Sequence, residues 1–194
     1  MFHQLVFGRE FFAALEREDL EIAERVAAAR CRICGGRLDR GDYGRKPRGA
    51  LIAPEGAELV VRFSLCCARE GCRKRATPPS LRFLARRVYL GAVVIVAAIV
   101  ARALGSTRGQ HVTGVPARTT RRWLAWWGGP FVSTEVFVTV CARLVGVAVD
   151  ALPTSIVEKL PGTAGERVRS LLELLAPLTT RTVPDGSRFL RGTA

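Results

Sequence analysis

The chain lacks an apolar run of bilayer length. Tyr89 to Ala101 is thirteen residues without a charge, roughly 20 Å as a helix, against about 30 Å for a bilayer core. Arg86, Arg87 and Arg102 bracket it, so it is expected to be a core helix of a protein that stays off the membrane. Met1 to Ala14 has no basic n-region and carries Arg9 and Glu10, so no secretory signal is expected. Histidine is scarce: His3 and His111 lie far apart, near no nucleophile. Carboxylates are scarce too. After residue 87 they are only Glu135, Asp150, Glu158, Glu166, Glu173 and Asp185, mostly on expected amphipathic helices. No catalytic constellation emerges, and an enzyme is not expected. Lysine is nearly missing: only Lys46, Lys74 and Lys159 among 30 basic residues. With abundant Ala, Gly and Val, this bias has the mark of a GC-rich genome, so part of the arginine content is compositional.

Composition does not explain where the charge sits. The net charge is +13, and residues 30 to 122 hold 20 Lys and Arg against 5 Asp and Glu, while the remainder is net negative. Such a field attracts phosphates or an anionic surface. At 194 residues and 48% apolar content the chain can bury a core and is not a disordered tail.

Within the basic region lie two cysteine hooks. Cys31 and Cys34 stand in Cys-Arg-Ile-Cys-Gly-Gly; Cys66, Cys67 and Cys72 stand in Cys-Cys-Ala-Arg-Glu-Gly-Cys-Arg-Lys-Arg. In a reducing cytosol, the expected location, such cysteines are metal ligands more often than disulfides. Paired hooks across a long insert suit a tetrahedral Zn²⁺. Cys31, Cys34, Cys67 and Cys72 are the expected ligands, with Cys66 as the alternative to Cys67, because the x4 hook is tighter than the x5 hook. Arg32, Arg69, Arg73 and Lys74 would stabilise the thiolate charge. Four thiolates leave no open coordination position, so this zinc is expected to fold the chain and not to catalyse. A thiol-disulfide centre at Cys31 and Cys34 is the alternative. Cys141, in an apolar run, reads as a small core residue.

The expected fold is α+β and mostly α, in five segments. Residues 1–30 form an N-terminal helical segment, amphipathic from residue 9 to 30, with Asp19 as an N-cap that restarts the helix. Residues 31–78 form a zinc-ribbon-like β unit. In it, Lys46-Pro47 lies in a loop, Pro54-Glu55-Gly56 marks a turn, and Glu58 to Cys66 alternates as a strand with Leu59, Val61, Phe63 and Leu65 on one face. Residues 79–130 follow Pro78-Pro79. They are expected to hold a helix from about Arg86 to Leu104, stopped by Gly105, then a short helix ending near Gly114. A second helix from Ala117 to Trp127 has Pro116 in its first turn and is stopped by Gly128-Gly129-Pro130. Residues 131–178 are a helical core or interaction segment. There Val132 to Val149 reads as apolar nearly all round and buried, Thr163 and Glu166 form a capping box, and Val168, Leu171, Leu172 and Leu175 make a stripe ended by Pro177. Residues 179–194 read as a loosely ordered tail.

Short helix, glycine turn and basic helix is helix-turn-helix grammar. On the second helix Arg118, Thr119, Arg121 and Arg122 occupy the polar positions of the first two turns and are the expected DNA contacts, with Arg73, Lys74 and Arg75 against the phosphate backbone. The same arginines can equally form a solvated face. Trp123 is expected in the core, while Trp126 or Trp127 is open to base stacking.

Thr119-Thr120-Arg121-Arg122-Trp123 after Gly114-Val115-Pro116 resembles the "G-V-S-x-x-T-v-x-R-W" ending of helix-turn-helix modules in bacterial transposases and phage regulators. The cysteine hooks with Gly71-Cys72-Arg73-Lys74-Arg75 resemble the N-terminal zinc ribbon of insertion-sequence proteins. The resemblance covers about residues 31 to 127 and departs from the pattern in the long insert and in Gly109 within a short first helix. It implies binding to double-stranded DNA at the ends of a mobile element. Such families often carry a nuclease core with three metal-binding carboxylates, for which this chain has no room. An accessory or regulatory role beside a transposase or integrase is therefore implied, with a homodimer as a further expectation. The alternatives are an RNA-binding or ribosome-associated zinc protein and a protein-interaction subunit.

Overall fold

The computed structural model describes residues 7–45, 61–84, 89–183 and 185–190. His3, the Lys46-Pro47 loop, the Pro54-Glu55-Gly56 turn, Glu58 to Val60, and Arg86 and Arg87 lie outside the described residues. The architecture is mixed α+β and mostly α. Helix α1 spans Arg9–Ala28. Five short strands follow: β1 Leu38–Arg40, β2 Tyr43–Gly44, β3 Val61–Arg62, β4 Leu65–Cys67 and β5 Arg75–Ala76. The helices after them are α2 Gly91–Leu104, α3 Ser106–Thr113, α4 Ala117–Gly128, α5 Glu135–Arg143, α6 Thr154–Val157 and α7 Ala164–Leu175. No described helix is long and apolar enough to cross a membrane.

The strands form two small antiparallel sheets, one ordered β1-β4-β5 and one pairing β2 with β3. The expected strand from Glu58 to Cys66 is, in its described part, two strands broken at Phe63-Ser64. Phe63 and Leu65 are buried as expected, but Arg62 and Ser64, expected on the polar face, are buried as well, so both faces of the segment are covered.

Helix α2 is the centre of the molecule. Every residue from Gly91 to Ala101 is buried, as an apolar stretch packed on all sides must be. Gly109 is explained by its neighbour. A Cβ there would come within 3.3 Å of the Ala101 Cα, so the glycine lets α3 cross close against α2. Gly114 ends α3 in the left-handed region (φ 65°), a conformation that suits glycine. One hydrophobic cluster runs from Phe12 and Leu15 on α1 through Leu38, Leu65 and Cys67 and α2 to Trp123, Trp127 and the α7 stripe. The Thr163–Glu166 capping box is present in both directions.

Five further expectations change. Asp19 is not an N-cap but lies in the middle of α1, where its oxygens accept from Ser80 Oγ (2.6 Å), the Leu81 N–H (2.6 Å) and Arg82 Nε (2.9 Å). Val132 to Val149 is not a buried helix. Helix α5 buries only Phe137 and Val140, while Val138 and Val145 are 66% and 89% exposed. Cys141 is exposed, on the outward face of α5. The tail is ordered further than expected: Phe189 is buried and its carbonyl accepts from Arg25 Nε at 2.7 Å. Pro116 is the N-cap residue of α4 instead of a first-turn residue.

Candidate metal centre and basic helix

Helix α1 ends at Ala28, and Arg30 takes a left-handed φ of 60° that turns the chain into the first hook. The hook closes through Gly35 N–H to Cys31 O (2.7 Å) and Cys31 N–H to Gly36 O (2.9 Å). Gly36 is needed here: a Cβ would stand 3.1 Å from Cys67 Sγ and 3.3 Å from Cys34 Sγ. The second hook leaves β4 and returns through Cys72 N–H to Arg69 O (3.1 Å) and Cys67 N–H to Lys74 O (2.9 Å), with Gly71 at φ 81° and Arg73 at φ 45°. Pairing of β1 with β4 sets Leu38 opposite Cys67 and fixes the second hook over the first.

Cys31, Cys34, Cys67 and Cys72 come together, with all four sulfurs within 4.8 Å of one another. Cys31 Sγ is 3.8 Å from Cys72 Sγ, and Cys34 Sγ is 3.4 Å from Cys67 Sγ. Cys66 is excluded for a simple reason. Successive residues of a strand face opposite sides; Leu65 and Cys67 point inward, so Cys66 points away, its sulfur 3.4 Å from Arg73 O.

The four thiols are not equivalent. Backbone N–H groups of Ile33 and Cys34 favour the Cys31 thiolate and bring its pKa down to about 7. The Gly36 N–H and then the Cys67 thiol lower that of Cys34. At Cys67 the Arg69 N–H pulls downward, but burial and the neighbouring sulfurs outweigh it and push the pKa up to about 12. Cys72 is raised in the same way against the Lys74 N–H. A metal ion entering this cluster must displace the protons held by Cys67 and Cys72, because thiolates are the ligands. Among the flanking cations, Arg69 donates to Cys34 O at 3.2 Å, while Arg32, Arg73 and Lys74 are exposed. Arg75 is tied into the sheet, donating to Gly41 O and Ser64 Oγ.

The second site residues lie on α4. Its buried stripe is Thr120, Trp123 and Trp127, which excludes Trp127 as a stacking platform. Trp126 is half-buried against Trp127 and Phe131. Arg118, Arg121 and Arg122 are exposed, and Thr119 is half-exposed. Gln110, unremarked in the sequence, holds the start of the helix: its Oε1 accepts from the Ala117 N–H at 2.9 Å. It replaces the side-chain cap that Pro116 cannot supply, and a polar residue seven positions upstream is no recognisable capping signal. Val115, fully buried, anchors the turn between α3 and α4.

Fold and site define a mostly helical protein with a four-cysteine centre on a small antiparallel sheet, followed by a helical body from α2 to α7. No family model, no curated protein and no solved structure matches the chain.

Proposed function

We propose that the four-cysteine centre holds a structural Zn²⁺ and that the chain binds double-stranded DNA through α4. Four sulfurs bound at about 2.3 Å to one tetrahedral ion lie about 3.8 Å apart. The cluster's 3.4 Å and 3.8 Å pairs fit that ion with small movements. Four thiolates close the coordination sphere, so the ion's role is to hold the two hooks together.

The observation that carries the DNA reading is the division of α4 into two faces. Thr120, Trp123 and Trp127 anchor it, while Arg118, Arg121 and Arg122 stand clear near its N-terminal end. That is the end of a recognition helix that meets base edges. The exposed Arg73 and Lys74 supply phosphate contacts. The role beside a transposase or integrase rests on the resemblance of the two motifs alone. The exposed Val138 and Val145 favour a protein contact as a second role, to a second copy or to a partner enzyme.

Electrophoretic mobility shift across a salt series tests the reading. Arg121→Ala with Arg122→Ala should weaken duplex binding and reduce the salt slope by about 2. Unchanged affinity and slope would remove α4 from the interface. Competition with structured RNA at fixed salt distinguishes the ribonucleoprotein alternative, since phosphate attraction serves both.

A further inference from the structure

Among the described residues two arginines are buried, and only Arg82 has an acid within ion-pair distance. Arg82 is fully buried and meets Asp19 at 2.9 Å and Glu16 at 3.2 Å. Arg62, on β3, is 1% exposed. Its guanidinium donates to Pro78 O and, at 3.5 Å, to Phe63 O; among the described residues no carboxylate lies within ion-pair distance of it. Burial lowers its pKa, and Asp19, with its oxygens engaged by Ser80, Leu81 and Arg82, opposes that only from a distance. A buried charge without a counter-ion is costly, and neither the metal centre nor the basic face of α4 gives Arg62 a role.

Arg62 lines a cavity of about 710 Å³ at the junction of the small sheets, α2, α4 and the segment after α7. That is the size of a small-molecule site, far larger than an inorganic ion needs. Its wall carries three guanidinium side chains, Arg62, Arg45 and Arg181, and three aromatic ones, Tyr43, Trp123 and Trp126. Arg181 is exposed at the opening. Arg45 lies over the Tyr43 ring at 5.4 Å, which keeps a second cation beside an aromatic face. Guanidiniums match a phosphate monoester, which carries about two negative charges at neutral pH. Aromatic walls match a nucleobase, since every base offers a face for stacking.

We infer that this cavity binds a nucleoside monophosphate group, its phosphate held by Arg62 and its base against Tyr43 and Trp126, the aromatic side chains of the wall that are not fully buried. The group is either a free nucleotide or the 5′-terminal nucleotide of a strand. The site is separate from the exposed face of α4 but shares that helix through Trp123 and Trp126, so an occupant would touch the back of the proposed DNA-binding element.

The test uses the full-length, metal-replete chain, with tryptophan fluorescence and calorimetry as readouts and dAMP, inorganic phosphate and deoxyadenosine as probes. Saturable dAMP binding at least tenfold tighter than phosphate, with no saturable binding of deoxyadenosine over the same range, is the expected result. Arg62→Met should weaken dAMP at least tenfold with the circular dichroism unchanged. If that variant fails to fold, Arg181→Ala, on the exposed rim, should still weaken dAMP about threefold or more. Arg121→Ala with Arg122→Ala should leave dAMP binding intact, which keeps this result separate from the DNA reading. A short single strand that outcompetes dAMP only when 5′-phosphorylated would assign the group to a strand end; dAMP prevailing over it would assign a free nucleotide. No dAMP binding, binding no tighter than phosphate, or wild-type affinity in both the Arg62 and Arg181 variants would overturn the inference.

Discussion

The cysteine-bearing unit and the helical body after it are held together by different physics. In the first, the strands are two or three residues long, too short for sheet hydrogen bonds to be stable alone. What holds them is the inward packing of Leu38, Leu65 and Cys67 and a few turns, and the four clustered sulfurs are placed for a metal to tie the two hooks together. In the second, α2 is buried along eleven consecutive residues, and Trp123, Trp127 and the α7 stripe close over it. With the proposed Zn²⁺ bound, the first unit would fail when that ion is lost, whereas a hydrophobic body loses stability in proportion to what is removed. The two share one hydrophobic cluster, and Asp19 adds a polar tie from α1 to Ser80, Leu81 and Arg82.

The largest effect should come from breaking the metal centre. Cys34→Ser or removal of the ion with a chelator should cost the cysteine unit on the order of 10 kcal/mol of metal-linked folding energy. Hydrogen exchange would show residues 31–45 and 61–78 losing protection while α2 and α4 keep theirs. Unchanged protection in the cysteine unit would mean that the sheet stands without the metal. Because the ligands must be thiolates, acid should release the metal as a chelator does.

The joint comes next. Asp19→Asn leaves Arg82 buried with Glu16 as its remaining acid, and should cost about 3 kcal/mol in urea denaturation. A loss below about 1 kcal/mol would show that the tie between the two regions is dispensable. The smallest effect belongs to the helical body's periphery. Thr163→Ala removes the N-cap of α7 and should cost about 1 kcal/mol, with metal content unchanged, as expected for an energy that stays within its own region.

Much of this was legible in the residues. The helix boundaries at Gly105, Gly114 and Gly128, the Thr163–Glu166 box and the ligand set of Cys31, Cys34, Cys67 and Cys72 follow from local chemistry. The choice between Cys66 and Cys67 stayed open in the sequence, and the inward burial of Cys67 beside the other three sulfurs decided it. Other features were hidden. Alternation put Arg62 on the outer face, but that face is covered too, and Arg62 and Ser64 are buried beside Phe63 and Leu65. Hydropathy marked Val138 and Val145 as apolar without saying that α5 has only one covered side or that Val145 lies in an exposed turn after it. Asp19 read as a cap because its partners lie 61 to 63 residues away.

The sequence by itself determined most helix ends and the two cysteine hooks, because capping, glycine turns and short hooks act over a few residues of chain. Only the tertiary structure decided which charges are buried and which apolar groups remain outside. Those outcomes depend on what packs against a residue from elsewhere in the chain. That is why Arg82 has its acids, Arg62 faces a cavity without one, and the four sulfurs of two distant hooks meet at one point.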